Sequence, residues 1–213
     1  MRTVIWDLGG TLLDTYPVVD RALAGAVQEG RGGGPVTDAD LHAVAVLTRV
    51  SSGHAITTLA QRHGIPQEDL RAAYEATKET WRHDPPPVTE GAREVMGAVH
   101  AAGGLNLVAT HRDRESASEL LEQVGLRVDD LVCAPDGFPR KPDPAMVVEL
   151  LTRHRLRPAL VLAVGDRPAD VAAAETAGVR GILLQTPGVE LEAPGAERIT
   201  SLRELVGLVE APS

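Results

Sequence analysis

Short β-branched or apolar runs recur along this chain with helix-periodic stretches between them: Thr3 to Trp6, Leu105 to Ala109, Asp130 to Ala134, Leu160 to Val164 and Gly181 to Leu184. Strands that alternate with helices are joined by crossovers, and crossovers produce a parallel sheet covered on both faces. The pattern predicts an α/β fold, a doubly wound sheet of about five parallel strands. One stretch breaks the alternation. From about Pro17 to His83 no strand pattern occurs and four helical patterns follow one another. That stretch predicts a small all-helical insertion after the first strand. The expected boundaries are 1–16 and 86–213 for a Rossmann-like core and 17–85 for the insertion.

Within the insertion, Val19, Leu23, Ala26 and Val27 share one face of a first helix. Thr37-Asp38-Ala39-Asp40 resembles a capping box that opens a second helix toward Leu41, Val44 and Ala45. A third, with Ile56, Leu59 and Ala60, stops at Gly64. A fourth begins at Pro66, carries Leu70, Ala73, Tyr74, Thr77 and Trp81, and is broken by Asp84-Pro85-Pro86-Pro87. These stripes read as the core of a small bundle. Gly30-Arg31-Gly32-Gly33-Gly34 has no preceding strand, no dinucleotide fingerprint and no Lys-Ser/Thr of a P-loop, so it reads as an inter-helix connection.

Composition removes several classes of function. With 21 Lys plus Arg against 30 Asp plus Glu, the net charge is −9, so the global field repels nucleic acid and anionic membrane. Aromatic residues are 2%, too few for base-stacking platforms or an interface built on aromatic anchors, and a monomer or weak dimer is expected. The lone Cys133 allows neither an internal disulfide nor a multi-cysteine zinc site. No apolar run approaches the ~18 residues of a membrane span, and Met1-Arg2 leads straight into the first strand pattern, so a cytoplasmic location is expected. An anionic small substrate needs a local positive site.

In a doubly wound sheet, function sits beyond the carboxyl ends of the strands, near the point where strand order reverses. The first strand ends at Asp7 in Asp7-Leu8-Gly9-Gly10-Thr11-Leu12, and the second at Thr110 before His111 and Arg112. The fourth ends in Gly165-Asp166-Arg167-Pro168-Ala169-Asp170, and a loop before it carries Arg140-Lys141-Pro142-Asp143. These places supply three carboxylates, one hydroxyl and one ammonium on one sheet face. Crowded carboxylates need protons or a cation, and a hard, oxygen-seeking ion such as Mg²⁺ suits them. With Asp7 as nucleophile, the metal and Lys141 would neutralise a phosphoryl group. The Thr110 hydroxyl and the loop amides after Asp7 would then bond its oxygens.

On these residues the chain resembles the haloacid dehalogenase (HAD) superfamily of aspartate-nucleophile phosphotransferases. The resemblance rests on Asp7-Leu8-Gly9-Gly10-Thr11-Leu12, on Thr110 after its strand, on Lys141-Pro142, and on Gly165-Asp166 with Asp170. It implies that the helical insertion is a type 1 cap, as in phosphoglycolate-phosphatase-like members, which chooses the substrate. It implies that Asp7 attacks phosphorus and that Lys141 bridges nucleophile and phosphate. It further implies Mg²⁺ held by Asp7, the Gly9 carbonyl, Asp166 and Asp170, with Gly10, Thr11, Thr110, His111 and Lys141 around a small phosphorylated metabolite.

One departure is chemical. Phosphatases of the family carry a second aspartate two residues after the nucleophile, as acid and then base, where this chain has Gly9. Candidate substitutes are His111 and, in the insertion, Arg49 and His54 beside Ser51-Ser52-Gly53. Two alternatives stay open beside a Mg²⁺-dependent phosphatase. One is carbon–phosphorus cleavage like that of phosphonoacetaldehyde hydrolase, with Lys78 as Schiff base. The other is a phospho-ligand-binding regulatory protein with little turnover. A 2-haloacid dehalogenase also lacks the second aspartate, but Asp166 and Asp170 argue for a metal it does not need.

Overall fold

A computed structural model describes residues 3–210, so Met1, Arg2 and residues 211–213, which the boundaries above include, lie outside the described residues. The strands are β1 (Thr3–Trp6), β2 (Asn106–Thr110), β3 (Asp130–Cys133), β4 (Val161–Gly165), β5 (Arg180–Leu184) and β6 (Glu197–Ile199). They form one sheet of order β3-β2-β1-β4-β5-β6, and every pairing is parallel. The sheet thus holds six strands where the sequence pattern suggests about five. The added one, β6, is a three-residue edge strand in which only Ile199 is buried. Its Glu197 meets Arg180 of β5 through two 2.7 Å hydrogen bonds, a charged pairing that has no apolar alternation to betray it.

The helices are α1 (Tyr16–Gly30), α2 (Asp38–Thr48), α3 (Ser52–His63), α4 (Gln67–Thr80), α5 (Ala92–Ala101), α6 (Arg114–Gln123), α7 (Ala145–Arg153), α8 (Pro168–Thr176) and the short α9 (Val206–Glu210). None of the described helices is long and apolar enough to cross a membrane. The chain forms two compact units: Met1–Asp14, Pro87–Pro187 and Glu192–Ser213 make one, and Thr15–Pro86 with Gly188–Leu191 make the other.

In the sheet-bearing unit the interior is set by the β period of two. Ile5, Leu107, Ala109, Val132, Val161 and Ala163 point to one face, where they meet Met146, Val147 and Leu150 of α7 and Ala173 and Ala174 of α8 in one buried cluster. β1, β2 and β4 are buried on both faces, the pattern of a covered parallel sheet. Strand order reverses beside β1, which pairs with β2 on one side and β4 on the other.

The helical unit is built as its stripes require. Val19, Leu23 and Val27 of α1, Val44 and Leu47 of α2, Ile56 and Leu59 of α3, and Leu70 of α4 are all buried. The capping box at Thr37 and Asp40 is formed, and Gly64 ends α3 in the left-handed conformation, φ 66°. Pro66 stands one residue outside α4, at its N-cap.

Candidate active site

The candidate site lies in the sheet-bearing unit, at the carboxyl ends of β2, β1 and β4. Register fixes the first relation. Trp6 pairs with Val164 and the Asp7 amide donates to the Val164 carbonyl at 2.9 Å, so Asp7 and Asp166 leave adjacent strand tips. Asp170 reaches the same place from the first turn of α8. Its Oδ2 accepts the Arg167 amide at 3.0 Å, so this carboxylate caps the helix as well as facing the site. One carboxylate oxygen from each of Asp7, Asp166 and Asp170 lies within 4.8 Å of the other two.

Lys141 is the counter-charge. Its Nζ donates to Asp7 Oδ1 at 2.6 Å, to Asp170 Oδ1 at 2.5 Å and to the Ala109 carbonyl at 2.9 Å, which commits all three ammonium protons. Burial opposes its charge, but Asp170 and Asp7 outweigh it and hold the ammonium above its usual range. At Asp7 it is the charged form that is disfavoured. Burial pushes its carboxyl up to about 6, with Lys141 pulling down and Asp170 and Asp166 adding to the rise. Three carboxylates thus share two cations, Lys141 on Asp7 and Asp170 and Arg167 on Asp166, which is only 1% exposed. That donor set, all oxygen and short of positive charge, fits a hard divalent cation.

The loop after Asp7 is organised by its own backbone. Leu12 and Leu13 amides donate to the Leu8 carbonyl, and the Gly10 amide donates to the Leu13 carbonyl at 2.7 Å. Gly10 has φ 99°, a conformation glycine adopts without steric cost, and its N–H is used inside the loop. Thr11 is fully buried, and its hydroxyl donates to Asp166 Oδ1 at 2.8 Å. Thr110 is buried at the end of β2, its hydroxyl accepting the Arg112 amide at 3.2 Å.

His111 is tied to the Lys141 loop. Its Nε2 accepts the Lys141 backbone N–H at 2.8 Å, so this nitrogen carries no proton. Burial, with Lys141 and Arg140 nearby, depresses its pKa to about 3. A neutral ring that accepts at Nε2 fixes the Lys141 loop, and it is a poor proton donor.

Gly165 and Arg167, named in the sequence pattern without a role, both bear on the site. At Gly165 an added Cβ would lie 2.2 Å from Asp170 Cβ, so the end of β4 must be glycine for Asp170 to enter. Arg167 brings its Nε to 3.9 Å from Asp166 Oδ2. Its place directly after Asp166 was the available signal.

Of the candidates in the helical unit, Arg49 and Lys78 have side-chain partners of their own there. Arg49 is paired with Asp20 and lies over the Tyr16 ring, 3.6 Å from its centroid. The His54 amide donates to the Ser51 hydroxyl at 3.0 Å, the N-cap of α3. Lys78 pairs with Glu75 one turn away, an ordinary helix-surface contact. At the end of α7, Arg153 bonds Glu149, and His154 Nε2 lies 2.9 Å from Asp130 Oδ2.

A strand tip that carries a carboxylate, a lysine that bridges it to Asp170 and a carboxylate cluster at the reversal of strand order match a known pattern. The haloacid dehalogenase-like hydrolase family model matches residues 1–178. The chain belongs to that family. It is 32% identical over 191 residues to phosphoglycolate phosphatase of Cereibacter sphaeroides, a match that covers 84% of this chain and 83% of that protein. Among solved structures, a hydrolase from Streptococcus pneumoniae is 28% identical, with a TM-score of 0.64 over 87% of this chain and 93% of its own. CbbY of Rhodobacter sphaeroides, solved with xylulose-(1,5)-bisphosphate, shares the fold at a TM-score of 0.69 and 21% identity, covering 95% of both chains. As a HAD-like hydrolase, the chain is an enzyme.

Proposed function

We propose that this HAD-like hydrolase is a Mg²⁺-dependent phosphatase of a small phosphorylated metabolite that works through an aspartyl-phosphate on Asp7. The observation that carries the reading is Lys141 Nζ at 2.6 and 2.5 Å from Asp7 and Asp170, with Asp166 completing an oxygen cluster within 4.8 Å. Phosphatase relatives of matched length support the reaction class.

Asp7, Asp166 and Asp170, with the Gly9 carbonyl, would hold the ion. Bound there, Mg²⁺ supplies the positive charge that lowers repulsion between a phosphoryl group and the carboxylates. Asp7 presents a carboxylate oxygen to phosphorus from the tip of a rigid strand, which supplies orientation. Lys141 shields that oxygen from its neighbour Asp170 and lends charge to the transferring group. Thr11 keeps Asp166 turned inward, and His111 holds the backbone of Lys141. With the Gly10 N–H spent on Leu13, the Thr110 hydroxyl and the amides nearer Asp7 remain to bond phosphoryl oxygens. The helical unit is read as the cap that selects the substrate, and the protein as a monomer or weak dimer.

Phosphate release from a panel of small phosphate esters, with Mg²⁺ and with EDTA, tests the reading. Metal-dependent release that disappears in Asp7→Asn is expected. Release that persists in Asp7→Asn, or none from any compound, would overturn it.

A further inference from the structure

The sheet-bearing unit holds the parts for making and stabilising an aspartyl-phosphate, yet its proton inventory is nearly empty. Gly9 has no side chain where an acid would serve. Lys141 has given its three protons to Asp7, Asp170 and Ala109. His111 accepts at Nε2, and its remaining N–H belongs to a neutral ring. The Thr11 hydroxyl proton lies on Asp166, and Asp170 accepts from Lys141 and from the Arg167 amide. Each of these groups is thus engaged in holding another in place.

Resting on the phosphatase reading, we infer that the site takes phosphoryl donors whose leaving oxygen departs as a stable anion, acyl phosphates being the biological class. In the first step an Asp7 oxygen forms a bond to phosphorus, and the bond from phosphorus to the leaving oxygen breaks. The electron pair leaves with that oxygen. A carboxylate is already the stable form at neutral pH, its conjugate acid having a pKa of about 4, so no proton is required. An alkoxide would need one, and neither Gly9, Lys141, His111 nor Thr11 has one to give. In the second step a water oxygen attacks phosphorus, the bond to Asp7 breaks and its electron pair restores the carboxylate. The water proton passes to an oxygen of the departing phosphate. Gly9 cannot act as base here either, so loss of phosphate from Asp7 becomes the slow step for the best donors.

The measurement is a series of substituted aryl phosphates with acetyl phosphate and an alkyl phosphate, assayed on the whole protein with Mg²⁺. Expected is a steep rise of kcat/KM with leaving-group acidity, acetyl phosphate exceeding the alkyl ester by roughly 10²–10⁴, the usual worth of general acid–base help. For the best donors kcat should level off, with a burst of leaving group and phosphate found on Asp7 by mass spectrometry after acid quench. Gly9→Asp should flatten the series by accelerating the alkyl ester. Gly9 is not among the glycines with positive φ, so the backbone accepts that side chain. A shallow series with the alkyl ester turned over as fast as the aryl esters, still lost in Asp7→Asn, would overturn this inference and leave the phosphatase reading standing. No release and no phosphate on Asp7 from any donor would remove both.

Discussion

Lys141 decides how the three carboxylates coexist, because it alone brings an ammonium proton to both Asp7 and Asp170. Lys141→Met would leave two buried carboxylates facing each other, and breaking a buried pair costs up to about 3–5 kcal/mol. The cost should depend on pH in a definite direction. With Lys141 gone, the pKa of Asp7, already raised to about 6, rises further. Below that value Asp7 is neutral and the repulsion is relieved. Urea unfolding should therefore show a larger deficit for the variant at pH 8 than at about pH 5. His111 gives the opposite dependence. Its pKa falls from 6.5 to about 3 on folding, so the native state resists a proton that the unfolded chain accepts. The stability tied to it is complete above 6.5 and is lost as pH falls toward 3, by at most about 1.4 kcal/mol per pH unit. His111→Gln should remove that part of the acid sensitivity, and the wild-type ring resonances should not titrate between pH 5 and 8. The sequence marked both residues as belonging to the site. It could not show that His111 faces the Lys141 backbone, because that contact joins positions 30 residues apart through a loop with no periodicity.

At the scale of elements, the junction of β4 and α8 is the tightest part of the site. An added Cβ at Gly165 would meet Asp170 Cβ at 2.2 Å and Cγ at 2.4 Å, so the strand end and the first turn of the helix interlock. Gly165→Ala should push Asp170 off Lys141 and cost roughly 1–3 kcal/mol, the usual range for overpacking. A melt would record the stability change, and a fall in phosphate release at unchanged helix content would record the displaced carboxylate. If Gly165→Ala released phosphate like the wild type, Asp170 would not depend on this fit. The same elements show what a sequence discloses. Strands β1 to β5 are legible because each is an apolar or β-branched run buried on both faces, as in Asn106–Thr110 and Val161–Gly165. The short β6 is not, since Glu197 and Arg198 are exposed and its hold on the sheet comes from pairing. Helix ends were readable where chemistry marks them, at Thr37, Asp40 and Gly64. For Asp170 the sequence offers a cap of α8 beside a place in the carboxylate cluster, and its side chain both accepts the Arg167 amide and faces Asp7 and Asp166.

Across the whole molecule, the chain passes between its two units at Asp14–Thr15, Pro86–Pro87, Pro187–Gly188 and Leu191–Glu192. The sequence announces the second passage with three successive prolines. It gives little sign of the last two, since Val189 and Leu191 are buried in a segment too short to show a period. The carboxylate cluster, by contrast, lies entirely in the sheet-bearing unit, on a chain whose net charge is already −9. Filling it with a divalent cation should stabilise the folded protein by mass action, about 2.7 kcal/mol when free ion exceeds Kd a hundredfold. The gain should be set by Asp7, because the ion competes there with a proton. With its pKa at about 6, Asp7 is open to metal above that pH, and affinity should fall by up to about tenfold for each pH unit below it. Thermal melts with Mg²⁺ and with EDTA should thus differ clearly at about pH 7.5 and little at about pH 5. Asp166→Asn keeps an oxygen for Thr11 but withdraws a charge, and it should abolish the difference at both. An equal Mg²⁺ shift at the two pH values, or one that survives in Asp166→Asn, would place the ion somewhere other than this cluster.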